Sequence, residues 1–147
     1  MKYYQRILIG TDFSEASTVA AQRGADLARR YDAKLILLHV IEHFPEDVPN
    51  DPIVPENLDS ATFYRERARK NLGKLAGELG FREATQMVIT STGSARHEIR
   101  AFAENEQVDL VVLGSHSGGL LGGLGSTAMG VTYDVPCDVI VVRAATN

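Results

Sequence analysis

The residues of this sequence best suited to chemistry lie in one glycine-rich stretch, Gly114-Ser115-His116-Ser117-Gly118-Gly119-Leu120-Leu121-Gly122-Gly123-Leu124-Gly125-Ser126-Thr127. Six glycines fall between Gly114 and Gly125, so backbone N–H groups can converge on an anion with no Cβ in the way. Gly125-Ser126-Thr127 then opens a helix, adding the favourable end of its dipole and two hydroxyl donors. The stretch reads as a phosphate cradle; its rival reading is a flexible surface turn. Two better-known phosphate motifs do not apply. Gly123 to Ala128 fits G-x-G-x-x-A but does not follow a strand directly and lacks an acidic partner at the expected distance, and no Gly-Lys-Ser or Gly-Lys-Thr occurs.

Asp12 stands at the end of the first apolar run. It can bind a ribose hydroxyl or a metal, or it can cap Phe13-Ser14-Glu15 as the chain turns into a helix. His39 falls inside an apolar run and reads as a hydrogen-bonded core imidazole; His43, four residues on, gives no metal-binding pair in an extended segment. His116 lies in the glycine stretch, either on a nucleotide or stabilising the loop, and His97 reads as solvent-facing. Cys137 is alone and follows Pro136 beside a strand, so neither an intrachain disulfide nor an activated thiolate is expected. No nucleophile, base and orienting group can be assembled from these positions, and the sequence does not predict an enzyme.

These groups need elements to position them. Ile7 to Ile9, Leu35 to Ile41, Leu110 to Leu113 and Val139 to Val142 are continuous apolar runs, as in parallel strands covered on both faces, and Met87 to Ile89 is a weaker fifth. Helical patterns alternate with them. One starts at an N-cap Ser14 and carries Ala20, Gly24, Leu27, Ala28 and Tyr31; another carries Ala68, Leu72, Leu75, Ala76 and Leu79 and stops at Gly80; a third follows Ser94 with Ala95, Ile99, Phe102 and Ala103. Right-handed crossovers then give an α/β, doubly wound parallel sheet whose ligand crevice lies at the carboxyl ends of the strands, where Gly10-Thr11-Asp12, Val40 to His43 and Gly114 onward should meet. His43 to Asp59, with four prolines among acidic residues, is a long irregular connection, read as a mobile insertion or as a lid.

The 147 residues predict a single domain spanning 1–147. A net charge of −4 argues against a general nucleic-acid or anionic-membrane surface. The basic residues Arg65, Arg67, Arg69, Lys70 and Lys74 read as the solvated side of the second helix. No apolar run approaches the roughly 20 residues a membrane helix needs. A single cysteine and an N-terminus without a cleavage signature predict a cytoplasmic protein.

Several stretches in this order resemble the universal stress protein family over essentially the whole chain. They are Ile7-Leu8-Ile9-Gly10-Thr11-Asp12-Phe13-Ser14, Leu37-Leu38-His39-Val40-Ile41, Gly93-Ser94, Val108 to His116, and Val135-Pro136-Cys137. The resemblance implies a five-stranded parallel sheet of order 3-2-1-4-5 with helices on both faces, and a homodimer through the last strand, Val139 to Val142. For members that bind ATP, with Mg²⁺, it puts Thr11, Asp12 and Val40 near the adenosine and Gly114, Ser117, Gly125, Ser126 and Thr127 near the ribose and phosphates. Those members carry G-x2-G-x9-G-S/T after the fourth strand. Here Ser117 stands at the second glycine, and only the seven residues Gly118 to Leu124 precede Gly125-Ser126, two fewer than the pattern. The resemblance therefore leaves two expectations: an ATP-binding regulatory dimer of the stress response, in which any hydrolysis is slow and incidental, or a dimeric interaction protein that retains no nucleotide.

Overall fold

The computed structural model describes residues 3–42, 59–91, 93–115 and 126–143. Strands and helices alternate as β1 (Arg6–Gly10), α1 (Glu15–Tyr31), β2 (Lys34–Ile41), α2 (Ser60–Leu79), β3 (Thr85–Thr90), α3 (Ala95–Asn105), β4 (Leu110–Gly114), α4 (Ser126–Asp134) and β5 (Asp138–Val142). All strand pairs are parallel, in the order β3-β2-β1-β4-β5. Leu8 at the centre of β1 pairs with Ile36 on one side and Val111 on the other.

The two-residue period of the strands sorts the core into two layers. Ile7, Ile9, Leu37, Leu110 and Val112 face α1 and α2, where Ala20, Ala21 and Leu72 meet them. Leu8, Leu38, Val111 and Leu113 face α3 and α4, where Ile99, Ala103 and Val131 meet them. The inner strands are continuously apolar over Ile7–Ile9, Leu35–Leu38 and Leu110–Leu113 because both of their faces are covered there.

The helices stop and start where the side chains dictate. Ser14 and Ser94 are N-caps, accepting from the N–H groups of Ser17 and His97, both at 3.2 Å. Asp59, expected in the irregular connection, is the N-cap of α2 and accepts from Thr62 N at 2.7 Å; the connection's other residues, from His43, lie outside those described. Gly80 ends α2 with φ 74°, the left-handed conformation that glycine adopts freely. The α2 stripe Ala68, Leu72, Leu75, Ala76 and Leu79 is buried as its spacing predicts.

Three readings of the sequence need correction. On α1, Leu27 and Tyr31 are half-buried at the margin of the stripe, whereas Ala16, Ala21 and Ala25 are buried beside Ala20, Gly24 and Ala28. On β5, Val139, Ile140 and Val141 are half-buried rather than enclosed, because the strand lies at the sheet edge and only β4 flanks it. On β3, the strand runs from Thr85, well before Met87, and its exposed Thr85 and Gln86 give it the polar signal of an edge.

Candidate functional site

β1 lies between β2 and β4, and the chain leaves β1 toward α1 on one face but leaves β4 toward the side of α4 on the other. Such a divergence opens a crevice beyond the carboxyl ends of the strands. A cleft of about 200 Å³ occurs there. Gly10, Thr11 and Asp12 come to it from the end of β1, Leu38, Val40 and Glu42 from that of β2, and Leu113 and Gly114 from β4; Ser17, Ala95, Ile99 and Ala128 contribute from the N-terminal halves of α1, α3 and α4.

Thr11 is buried and fully engaged. Its N–H donates to the Leu38 carbonyl at 3.0 Å, and its Oγ1 accepts from Phe13 N at 3.0 Å and pairs with Ser17 Oγ at 3.0 Å. Ser17 Oγ donates its own proton to the Ser14 carbonyl at 3.0 Å, so Thr11 is the donor of the hydroxyl pair. The Thr11 carbonyl accepts from His39 Nδ1 at 2.8 Å, which fixes that ring's proton on Nδ1. His39 is half-buried and tilted against Phe13 with ring centroids 4.7 Å apart, a hydrogen-bonded core imidazole as its place in the strand predicts.

Of the roles open to it, Asp12 fills that of the cap. Its Oδ1 accepts from Ser14 N at 2.9 Å, turning the chain into α1, and its exposed carboxylate stands on the cleft wall. Between them Phe13 adopts φ 65°, a conformation disfavoured for a residue with a Cβ. Its amide bond to Thr11 Oγ1 and the Asp12–Ser14 turn hold it there. Val40 is half-buried and supplies apolar wall.

Gly114 lines the cleft, but the need for glycine comes from behind it. A Cβ at this position would lie 2.8 Å from the carbonyl carbon and oxygen of Ala16 and 3.0 Å from Ser17 N. The first turn of α1 packs directly on the end of β4. Ser117 and Gly125 lie outside the described residues. Ser126 and Thr127 are the first two residues of α4, and Ala128 on the cleft wall brings that helix start to the site.

Two residues join the site that the motifs did not single out, and a third, Ser115, lies next to its Gly114. Glu42 lies on the cleft wall, and its Oε2 accepts from Ala95 N at 3.1 Å, answering the start of α3 with a carboxylate. Its signal was its place directly after β2, the counterpart of Asp12 after β1. Ser17 follows its cap by three residues, the spacing at which a side chain turns back toward the strand end. Ser115 is 3% exposed, and its Oγ has no hydrogen-bond partner among the described residues, while its N–H donates to the Val142 carbonyl at 3.0 Å.

The described wall carries two carboxylates, Asp12 and Glu42, and no lysine or arginine. The first turns of α1 and α3 are answered by Ser14, Ser94 and Glu42, and α4 brings a third helix start to the cleft. Among the described residues no three His, Cys, Asp or Glu side chains gather as a metal site. Cys137 packs half-buried against the layer facing α3 and α4, away from the wall; burial and the nearby Asp138 and Asp109 charges raise its thiol pKa, against use as a nucleophile.

The sequence matches the family described as Universal stress protein family over residues 3–143. It is 32% identical over 141 residues to Universal stress protein A homolog 1 of Coxiella burnetii, with 95% of this chain and 96% of that protein covered. Among solved structures, the protein MJ0577, of Methanocaldococcus jannaschii, superposes with a TM-score of 0.78 at 27% identity, covering 99% of both chains. A universal stress protein solved in complex with cAMP shares the fold at a TM-score of 0.67 and 24% identity, covering 95% of this chain and 97% of that one. With a family match over residues 3–143 and a relative 32% identical across nearly the whole of both chains, this chain belongs to the universal stress protein family.

Proposed function

We propose that the cleft binds an adenine nucleotide, with ATP and Mg²⁺ as the physiological pair, and that the protein is a cytoplasmic, single-domain, nucleotide-responsive dimer of the stress response. The observation that carries this reading is the meeting of Asp12 and the start of α4 at one switch-point cleft. The fold itself accommodates an adenine nucleotide in the relative solved with cAMP. In this reading Asp12 accepts from the ribose hydroxyls, Val40 and Thr11 wall the adenosine, and Gly114, Ser117, Gly125, Ser126 and Thr127 receive ribose and phosphates. Glu42, seated on the start of α3, repels phosphate from that side and favours its delivery to α4. Two wall carboxylates make Mg²⁺ valuable to a triphosphate, since the cation offsets their repulsion. Hydrolysis, if any, is slow.

Dimerisation through β5 is supported by its edge position and its half-buried Val139, Ile140 and Val141, which a second strand would cover. A second reading, a dimer that retains no nucleotide, is favoured by one observation: the stretch from Gly114 to Gly125 is two residues shorter than the ATP-binding pattern. Equilibrium dialysis with labelled ATP separates the two. The proposal predicts saturable retention by the wild type that Gly125→Val abolishes; no saturable retention by the wild type would favour the second reading, and equal saturable retention by both would take Gly125 out of the site.

A further inference from the structure

Arg96 and Asp134 each stand at the wrong end of their own helix. Arg96 is the second residue of α3, where a helix N-terminus disfavours a cation, and Asp134 is the last residue of α4, where a C-terminus disfavours an anion. Local electrostatics would exchange them. Across the two helices they compensate each other, with Arg96 Nε donating to Asp134 Oδ2 at 2.5 Å. Arg100, one turn further along α3, adds its positive charge to the field that holds the Asp134 carboxyl below its ordinary pKa.

The Arg96 side chain reaches Asp134 by lying across Gly130. A Cβ on Gly130 would fall 2.5 Å from Arg96 Nε, 3.0 Å from Cγ and closer still to Cδ. These are atoms from the middle of the side chain, so any larger residue at 130 must lift the whole guanidinium off its seat. α4 has only nine residues and puts Ala128 and Val131 into the core, too little for such a helix to hold its pose by propensity alone. Its start and that of α3 both border the cleft, through Ala128 and Ala95.

We propose that Arg96 and Asp134, seated over Gly130, are positioning residues that clamp α4 to α3 and so set the distance of α4's start from the opposite wall of the cleft. The clamp stands on the contacts between the helices; its consequence for ligand affinity rests on the nucleotide reading above. The pair is half-exposed, so its removal leaves the core intact.

The test combines amide hydrogen exchange over residues 126–134 with ATP affinity in R96Q, D134N and the exchanged pair R96D/D134R. The clamp predicts faster exchange in α4 and ATP affinity about three- to tenfold weaker in each single variant, with both restored in the exchanged pair. A purely local effect predicts the opposite sign, because each single change removes a charge that its own helix dipole disfavours. G130A is predicted to weaken ATP binding although alanine favours a helix. Unchanged or slower α4 exchange in both single variants would overturn the clamp. Should the wild type take up no ATP, the nucleotide reading falls, and the exchange measurement alone decides the clamp.

Discussion

Asp12 holds the Ser14 N–H with one carboxylate oxygen and stands on the cleft wall, so a substitution there mixes two effects unless it is chosen to separate them. Asparagine keeps an oxygen for the turn and loses the charge. D12N is therefore expected to unfold within about 0.5 kcal/mol of the wild type in urea while weakening ATP binding about tenfold or more, as for a lost charge-assisted hydrogen bond. D12A should lower both quantities. Equal ATP affinity in D12N and wild type would remove Asp12 from the ligand's contacts. Thr11 illustrates the opposite case. It borders the cleft, but its hydroxyl proton goes to Ser17 and its Oγ1 takes the Phe13 N–H, so its side chain shapes the wall and has no free proton for a ligand.

At the scale of elements, the site depends on how closely α1 rests on β4. Gly114 permits that approach, with the Ala16 carbonyl 2.8 Å from where its Cβ would stand. Because the obstacle is backbone, the helix must move if a methyl group is added. G114A is expected to cost about 1–3 kcal/mol of stability, read as a lower urea midpoint at unchanged slope. A glycine that looks like part of a phosphate cradle thus has a packing reason as well. The inner strands were legible in the sequence because burial on both faces leaves continuous runs such as Leu110 to Leu113, and α2 was legible from its apolar stripe. β3 was only partly legible, since Thr85 and Gln86 on an exposed edge dilute the apolar signal. Asp12 and the start of α4 were readable from strand ends and glycines. The capping role of Glu42 was not, since it arises when β2 and α3, 53 residues apart in sequence, come together at Ala95. The same holds for Arg96 and Asp134, which meet only once α3 and α4 are side by side.

For the whole molecule, the sheet is tied at its amino end as well as its core. Tyr4, just before β1, donates its hydroxyl proton to Asp138 Oδ2 at 2.8 Å, linking the centre of the sheet to the first residue of edge strand β5. That hydrogen bond, with burial and the Asp138 charge, pushes the Tyr4 pKa from 10.0 up to about 12. A phenol whose folded pKa lies above its unfolded value stabilises the fold below the unfolded pKa, and the contribution is lost as pH rises from about 10 to about 12. The urea midpoint should therefore fall over that window in the wild type and fall less in Y4F, which lacks the titrating group. Identical pH profiles would show that the link contributes nothing.

The proposed nucleotide cleft lies at the opposite end of the sheet, where strand ends and helix starts meet. Calorimetric titration of nucleotide-stripped protein with ATP, with and without Mg²⁺, tests it most directly. Saturable binding near one nucleotide per chain, tighter with Mg²⁺, is the predicted result. No heat and no thermal shift at millimolar ATP, with or without the cation, would contradict it, because a ligand that binds the native state must raise its stability.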